Sequence, residues 1–171
     1  ILGVLQPTNG ILLIDNEEIN ENNLANWHSQ IGYIPQDIYL IDDSIKKNII
    51  FGEAEELNSK KLEEALKLSN LERLINNLPN GIETIVGEGG TQLSGGQIQR
   101  ISIARALYNS PEIIIFDEAT NSLDEETENN IIKEIFNLKR KCTIFLVTHN
   151  KNLTTNCDEK YLVENKKITK I

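Results

Sequence analysis

Two stretches of this chain carry side chains whose types and spacing suit phosphate chemistry. The first is Leu93-Ser94-Gly95-Gly96-Gln97. Adjacent glycines let a backbone approach a ligand that any Cβ would hold away, and Ser94 adds a hydroxyl. Ile98, Ile101, Ala104 and Leu107 follow at helical spacing, so a helix starts just after the glycines. Its N-terminus offers unpaired N–H groups and the positive end of a dipole, which suit a phosphate. Taken alone, Ser-Gly-Gly reads first as a helix cap after a glycine turn. The second stretch is Asp117-Glu118, at the end of the apolar run Ile113-Ile114-Ile115-Phe116. Adjacent strand residues point to opposite sides, so one carboxylate could serve a Mg²⁺ while the other faces a nucleophilic water. In isolation the pair reads equally well as solvated acids ending a strand. Gln36 and His149 also follow strand-like runs; by itself the first is a surface amide and the second an ordinary histidine.

The elements that must position these groups follow from the periodicity. A continuous apolar run such as 113–116 marks a strand buried on both faces of a parallel sheet, and Thr143-Ile144-Phe145-Leu146-Val147 reads as the next buried strand. Ile31-Gly32-Tyr33-Ile34 is a strand that Pro35 must end, which leaves Gln36 at a strand-to-loop junction. Open α/β sheets hold ligands at the carboxyl ends of such strands. Earlier in the chain, Ile1 to Leu5 reads as the end of a buried helix, 6–10 as a turn and Ile11 to Ile14 as a short strand. Asn20 to Ser29 is helix-compatible. Between Gln36 and the glycines the chain is mainly helical. Ser44 is a plausible N-cap before a helix ended by Gly52, and Leu57 to Leu78 forms one or two helices broken by Pro79-Asn80-Gly81. Glu125, Glu126 and Glu128 open an amphipathic helix running to about Leu138, closed by Lys139-Arg140-Lys141. The chain ends in a hairpin of 160–163 with 166–169, turning at Glu164-Asn165.

Composition sets outer bounds. The 171 residues are enough for one domain with a real core. The net charge of −9 disfavours nucleic acid or anionic lipid as the main partner. No apolar run is long enough to span a bilayer and no signal-peptide pattern is present. Cys142 and Cys157 sit in no metal or redox spacing and read as reduced structural thiols. His28 matches no functional element and reads as a surface residue.

The run LSGGQ-x-QR-x-x-x-ARAL over 93–107 resembles the signature motif of ATP-binding cassette (ABC) ATPases. Around it, 31–36 resembles the Q-loop of that family, 113–118 its Walker B strand, 119–124 its D-loop and Thr148-His149 its switch histidine. The resemblance covers essentially the whole chain. It implies an α/β fold: a P-loop NTPase (RecA-like) core with a parallel sheet, in 1–36 and 111–171, plus an inserted helical subdomain in 37–110. It implies ATP and Mg²⁺ as cofactors. Asp117 would hold Mg²⁺ through water, and Glu118 would polarise the attacking water. Gln36 would reach the Mg²⁺ and the γ-phosphate and report nucleotide to a transmembrane partner. His149 would hold the γ-phosphate and orient the water with Glu118. Two such domains would pair head to tail, so that Ser94, Gly95, Gly96 and Gln97 close on ATP held by the other and Asp124 contacts the opposite protomer.

Segments 43–52 and 83–90 look more like ABC exporters than importers or DNA-repair members. Residues 26–36, with Trp27, are similar to bacterial exporters and flippases of lipid-linked oligosaccharides; packing is the plain reading of Trp27. The expected location is the cytoplasmic face of a bacterial inner membrane, beside a transmembrane domain and without nucleic acid. A phosphate loop of the form Gly-x-x-x-x-Gly-Lys-[Ser/Thr] is absent from the sequence, since none of the 10 glycines precedes a lysine. It is expected to precede Ile1, so these residues alone should neither bind ATP tightly nor hydrolyse it. The rivals are a soluble ABC ATPase of translation or repair, and a non-catalytic dimerisation or regulatory module.

Overall fold

The computed structural model describes residues 1–5, 7–52, 58–120, 123–138 and 141–171. At its centre lie three parallel strands in the order β3-β4-β5: Ile31–Ile34, Ile113–Asp117 and Thr143–Val147. Ahead of them, β1 (Leu13–Ile14) pairs antiparallel with β2 (Glu17–Glu18) in a separate two-stranded ribbon, followed by helix α1 (Leu24–Ser29). Ile31 lies opposite Ile113, which lies opposite Thr143, and Asp117 lies opposite Val147. Helices α2 (Ile45–Ile49), α3 (Ser59–Leu68), α4 (Glu72–Asn77) and α5 (Gly95–Leu107) fill the crossover from β3 to β4. Helix α6 (Glu125–Asn137) fills the crossover from β4 to β5. The chain closes with the hairpin β6 (Tyr161–Glu164) and β7 (Lys167–Lys170). The α/β class with a parallel sheet is therefore as expected.

Among the described residues one face of the sheet packs into the core, and on the other only Ile115 of the central strand is buried. Ile34, Ile114 and Phe116 are buried with Ile101 and Ala104 of α5 and Ile131 and Ile135 of α6 in one core. Gly32 makes the close approach of α5 feasible, because a Cβ there would lie 2.6 Å from the Ala106 carbonyl oxygen. On the opposite face Tyr33, Phe145 and Val147 are exposed. The expectation of a buried β5 is met on one face: among the described residues it pairs with β4 alone and its burial alternates.

Helix boundaries follow local chemistry. The Ser44 hydroxyl accepts from Lys47 N at 3.2 Å and the Asn58 side chain accepts from Lys61 N at 3.1 Å, each opening a helix as an N-cap. The anticipated helix over 57–78 resolves into α3 and α4, with Leu57 itself outside the described residues. Residues 1–5 are not helical. Gly3 has φ +70°, and the carbonyls of Ile1 and Leu2 accept from Trp27 Nε1 at 3.0 Å and His28 Nε2 at 2.8 Å. The positive φ of Gly3 takes the segment out of the helical region, the two side-chain bonds tie it to α1, and Leu5 is exposed. The strand foreseen over Ile11 to Ile14 is confined to Leu13–Ile14, and Asp15 and Asn16 turn it back at positive φ. The helix foreseen from Asn20 begins only at Leu24, after a turn in which Asn20 N donates to Asn23 Oδ1 at 2.8 Å. The final hairpin turns one residue later than anticipated, at Asn165-Lys166, both at positive φ.

One ion pair ties the two long helices together. Arg100 Nη1 lies 3.1 and 2.8 Å from the two carboxylate oxygens of Glu134, with side chains 21% and 17% exposed. Glu134→Ala is expected to destabilise the fold by about 1–3 kcal/mol, because a half-buried guanidinium loses its partner. Lys141–Glu64, 55% and 57% exposed at 3.9 Å, supplies the contrast. Glu64→Ala should stay within about 0.5 kcal/mol of the native chain. Urea unfolding midpoints check both.

Candidate functional site

Because β3, β4 and β5 are parallel, whatever follows their last residues gathers along one edge. Asp117 ends β4, Glu118 follows it, Thr148 and His149 follow β5, and Gln36 lies two residues beyond β3. The Tyr33 hydroxyl donates to Asp117 Oδ2 at 2.9 Å, from one strand to the next. Burial first, and then the Asp117 carboxylate, raises the Tyr33 pKa, so the phenol remains a donor at neutral pH. Residue spacing gave no signal for Tyr33. Only the register, which places it opposite Ile115, brings its hydroxyl to Asp117.

Glu118 departs from the expectation of a strand residue pointing opposite to Asp117. Its φ is +49°, and its N–H donates to Val147 O at 3.0 Å. The chain turns off the strand at this residue. Such a conformation is uncommon away from glycine and is often found at functional sites. The turn brings Glu118 Oε1 within 2.9 Å of His149 Nε2. Glu118 is 20% exposed and His149 88% exposed, so the imidazole stands in the open over a half-buried carboxylate. A carboxylate and an imidazole at this distance can hold and pass a proton. Gln36 is exposed beyond its strand.

Ser94, Gly95, Gly96, Gln97 and Asp124 occupy another place, a shallow cleft of about 350 Å³ at the converging N-termini of α5 and α6. Ser94 Oγ accepts from Gln97 N at 3.4 Å and Gln97 Oε1 accepts from Ser94 N at 2.9 Å, a reciprocal capping box. Asp124 Oδ1 accepts from Thr127 N at 2.9 Å in the same way, and that hydrogen bond lowers its carboxyl pKa. The helix-cap reading of Ser94 therefore describes its geometry. The glycines have a second use that the sequence did not disclose. A Cβ on Gly96 would come within 2.8 Å of Thr127 Cγ2, and one on Gly95 within 3.3 Å of Leu123 Cδ2. Their bareness lets α6 approach the start of α5. Of the D-loop segment, Asn121 and Ser122 lie outside the described residues, as do Gln6, Lys139, Arg140 and the side chain of Glu125.

At the far end of α5, Arg105 donates to Asn48 O at 2.7 Å, Tyr39 O at 3.1 Å and Asn48 Oδ1 at 3.2 Å. Its guanidinium also lies 5.3 Å from the centre of the Phe51 ring. Burial lowers the Arg105 pKa. Asn48 is itself fully buried and pairs with both the N–H and the carbonyl of Ile41. This network fastens the segment after Gln36 to the helix of the glycine-rich motif. It leaves two aromatic rings, Tyr39 and Phe51, facing outward beside it.

A family profile described as "ABC transporter" matches residues 1–121. The chain is 36% identical over 164 residues to a multidrug resistance ABC transporter ATP-binding and permease protein of Lactococcus lactis, covering 96% of this chain and 28% of that protein. It is 37% identical over 150 residues to an ATP-dependent lipid A-core flippase of Francisella tularensis, covering 88% and 25%. Among solved structures, a bacterial Atm1-family ABC exporter with ATP bound superposes with a TM-score of 0.86 at 30% identity, covering 98% of this chain and 30% of that one. The chain thus spans about a quarter of the length of the curated bacterial relatives it matches.

Proposed function

The chain belongs to the ABC transporter family, and from that membership we propose that it is the ATP-hydrolysing domain of an exporter. The observation that carries this reading is the convergence of Asp117, Glu118 and His149 on one sheet edge, in a chain that also holds an intact Ser94-Gly95-Gly96-Gln97 motif. Residues 1–36 and 111–171 form the catalytic part in this reading, and 37–110 the helical part that carries the motif.

Glu118 is the general base, and His149 orients the water and holds the terminal phosphate beside it. Asp117, fixed by Tyr33, and the carboxamide oxygen of Gln36 are the hard oxygen donors that would hold Mg²⁺. Among the described residues no cluster of three or more His, Cys, Asp or Glu forms a metal cage. That suits Mg²⁺, which takes one or two carboxylates and completes its shell with water and substrate phosphates. When bound, Mg²⁺ neutralises charge developing on the transferred phosphoryl group.

Two copies pair head to tail, so that Ser94 to Gln97 of one meet nucleotide held by the other, with Asp124 at the boundary. A phosphate entering there meets the first N–H groups of α5, whose dipole favours an anion. It must compete with Gln97 for the Ser94 hydroxyl and N–H. Closure around nucleotide then drives a membrane domain between conformations, and hydrolysis releases it.

Among the described residues no helix is long and apolar enough to cross a membrane. We assign the membrane segments to other residues of the same polypeptide or to another chain, with this domain on the cytoplasmic face of a bacterial membrane. The outward-facing Tyr39 and Phe51, 63% and 55% exposed, support a docked partner beside the Gln36 segment. The flippase relatives favour a lipid substrate. Trp27 does not add to that argument, being 4% exposed and engaged in packing and a bond to Ile1 O.

The test is ATP turnover and transport by the whole polypeptide containing these residues, purified and reconstituted in lipid vesicles. ATP-dependent movement of a lipid probe between leaflets is expected. Turnover unaffected by membrane reconstitution or by any candidate substrate would count for the soluble rival.

A further inference from the structure

We propose that Glu128 and Asn150 are positioning residues for His149, a role that rests on the reading of His149 and Glu118 given above. The His149 side chain is 88% exposed, so packing does not hold its ring in place. Its position over Glu118 depends on the turn that carries it, and that turn is anchored through the next residue. Asn150 N donates to Thr148 Oγ1 at 3.0 Å, closing the turn on itself. Asn150 Oδ1 accepts from Asn152 N at 3.1 Å, opening the short 3₁₀ helix Lys151–Asn156. Asn150 Nδ2 donates to Glu128 Oε2 at 3.1 Å, which crosses to a different element.

The two carboxamide bonds determine each other. With Oδ1 taken by an N–H donor, the carboxamide can present only its NH₂ to Glu128, and a carboxylate is an acceptor only. The orientation is therefore set by chemistry at both ends. Glu128 sits in the early part of α6, whose Ile131 and Ile135 are buried in the core. The same helix is clamped to α5 through Glu134 and Arg100. Asn150 is thus tied to a helix anchored in the core, and this tie holds the turn that presents the imidazole to Glu118. A misplacement of about 1 Å in a reacting group can cost about 100-fold in rate, so such an anchor has catalytic consequences without touching substrate.

The experiment uses the whole polypeptide that contains this chain and measures kcat and KM for ATP. Asn150→Ala and Glu128→Ala are each expected to lower kcat by about 10- to 100-fold with KM little changed. The double variant should be no worse than the weaker single, as expected of two ends of one bond. Glu128→Gln, which keeps an oxygen acceptor and removes the charge, should restore most of kcat. Asn150→Asp keeps the cap on Asn152 but replaces the donor with a carboxylate facing Glu128, so it should lose at least as much as Asn150→Ala.

A readout without turnover comes from the His149 and His28 ring signals of the same whole polypeptide, each identified by its loss in His149→Ala or His28→Ala. Glu128→Ala should move or broaden the His149 signal and leave the His28 signal in place. Native kcat in both alanine variants, where His149→Ala abolishes turnover, would overturn the positioning role. So would an unmoved His149 ring signal, or a Glu128→Gln variant as slow as Glu128→Ala. Turnover that survives His149→Ala would instead remove the reading on which the role rests.

Discussion

In the whole polypeptide that contains these residues, replacing Glu118 with glutamine should stop ATP turnover, by about 10²–10⁴-fold or more, while leaving nucleotide binding and pairing intact. The carboxamide is nearly isosteric and can still meet His149 Nε2 at the 2.9 Å separation of the native pair. What it loses is the capacity to take a proton. The substitution therefore separates chemistry from closure. ATP should accumulate a closed dimer visible by analytical ultracentrifugation, with a KM or Kd for ATP close to native. The backbone at this position has φ +49°, and glutamine meets the same constraint as glutamate, so the fold should be unchanged. Turnover within about twofold of native in that variant would exclude Glu118 as the base, and with it the proposed division of labour along the sheet edge.

The second large effect concerns Gly96, where two opposing terms can be weighed. Alanine in a helix is favoured over glycine by about 1 kcal/mol. Against this, the new Cβ would stand 2.8 Å from Thr127 Cγ2, and overpacking of that kind costs about 1–3 kcal/mol. Thr127 is β-branched and stiff, so the methyl cannot simply swing away. Gly96→Ala alone is therefore expected to be destabilising by up to about 2 kcal/mol, the difference of those terms. In a Thr127→Ser background the obstructing methyl is gone, and the same substitution should become stabilising by up to about 1 kcal/mol. The sign reverses because of one methyl group. Urea unfolding of the four chains measures the cycle. The functional half is larger: with the two helix N-termini forced apart, the cleft of Ser94 to Gln97 and Asp124 changes shape. Nucleotide-driven pairing should then fall by about tenfold in Gly96→Ala and recover in the double variant. Additive effects, with no recovery, would show that the glycine serves only ligand approach.

Most of the outline was legible in the chain because it rests on local rules. Pro35 had to end a strand, Ser44 had to cap a helix, and the spacing of Ile98, Ile101, Ala104 and Leu107 had to place a helix after the glycines. The resemblance to ABC ATPases followed from short, contiguous motifs and led to the same family that the comparisons identify. Two expectations fail where an apolar run has more than one meaning. Ile1 to Leu5 is apolar enough to end a helix, yet Gly3 leaves the helical region at φ +70°. Ile144 to Val147 is apolar throughout, yet among the described residues only one face of this strand is covered.

What the sequence determined by itself was therefore the list of chemical groups and the kind of element carrying each. A residue's own backbone preferences and its near neighbours decide those. Only the tertiary structure could decide which groups meet. Tyr33 reaches Asp117 through strand register, Glu118 reaches His149 through a turn at positive φ, and Gly96 admits Thr127 from another helix. Asn150 reaches Glu128 in the same manner, across 22 residues of chain. Each of these contacts joins positions that no local rule connects. They exist because burying one face of the parallel sheet brings β3, β4, β5, α5 and α6 into a single arrangement.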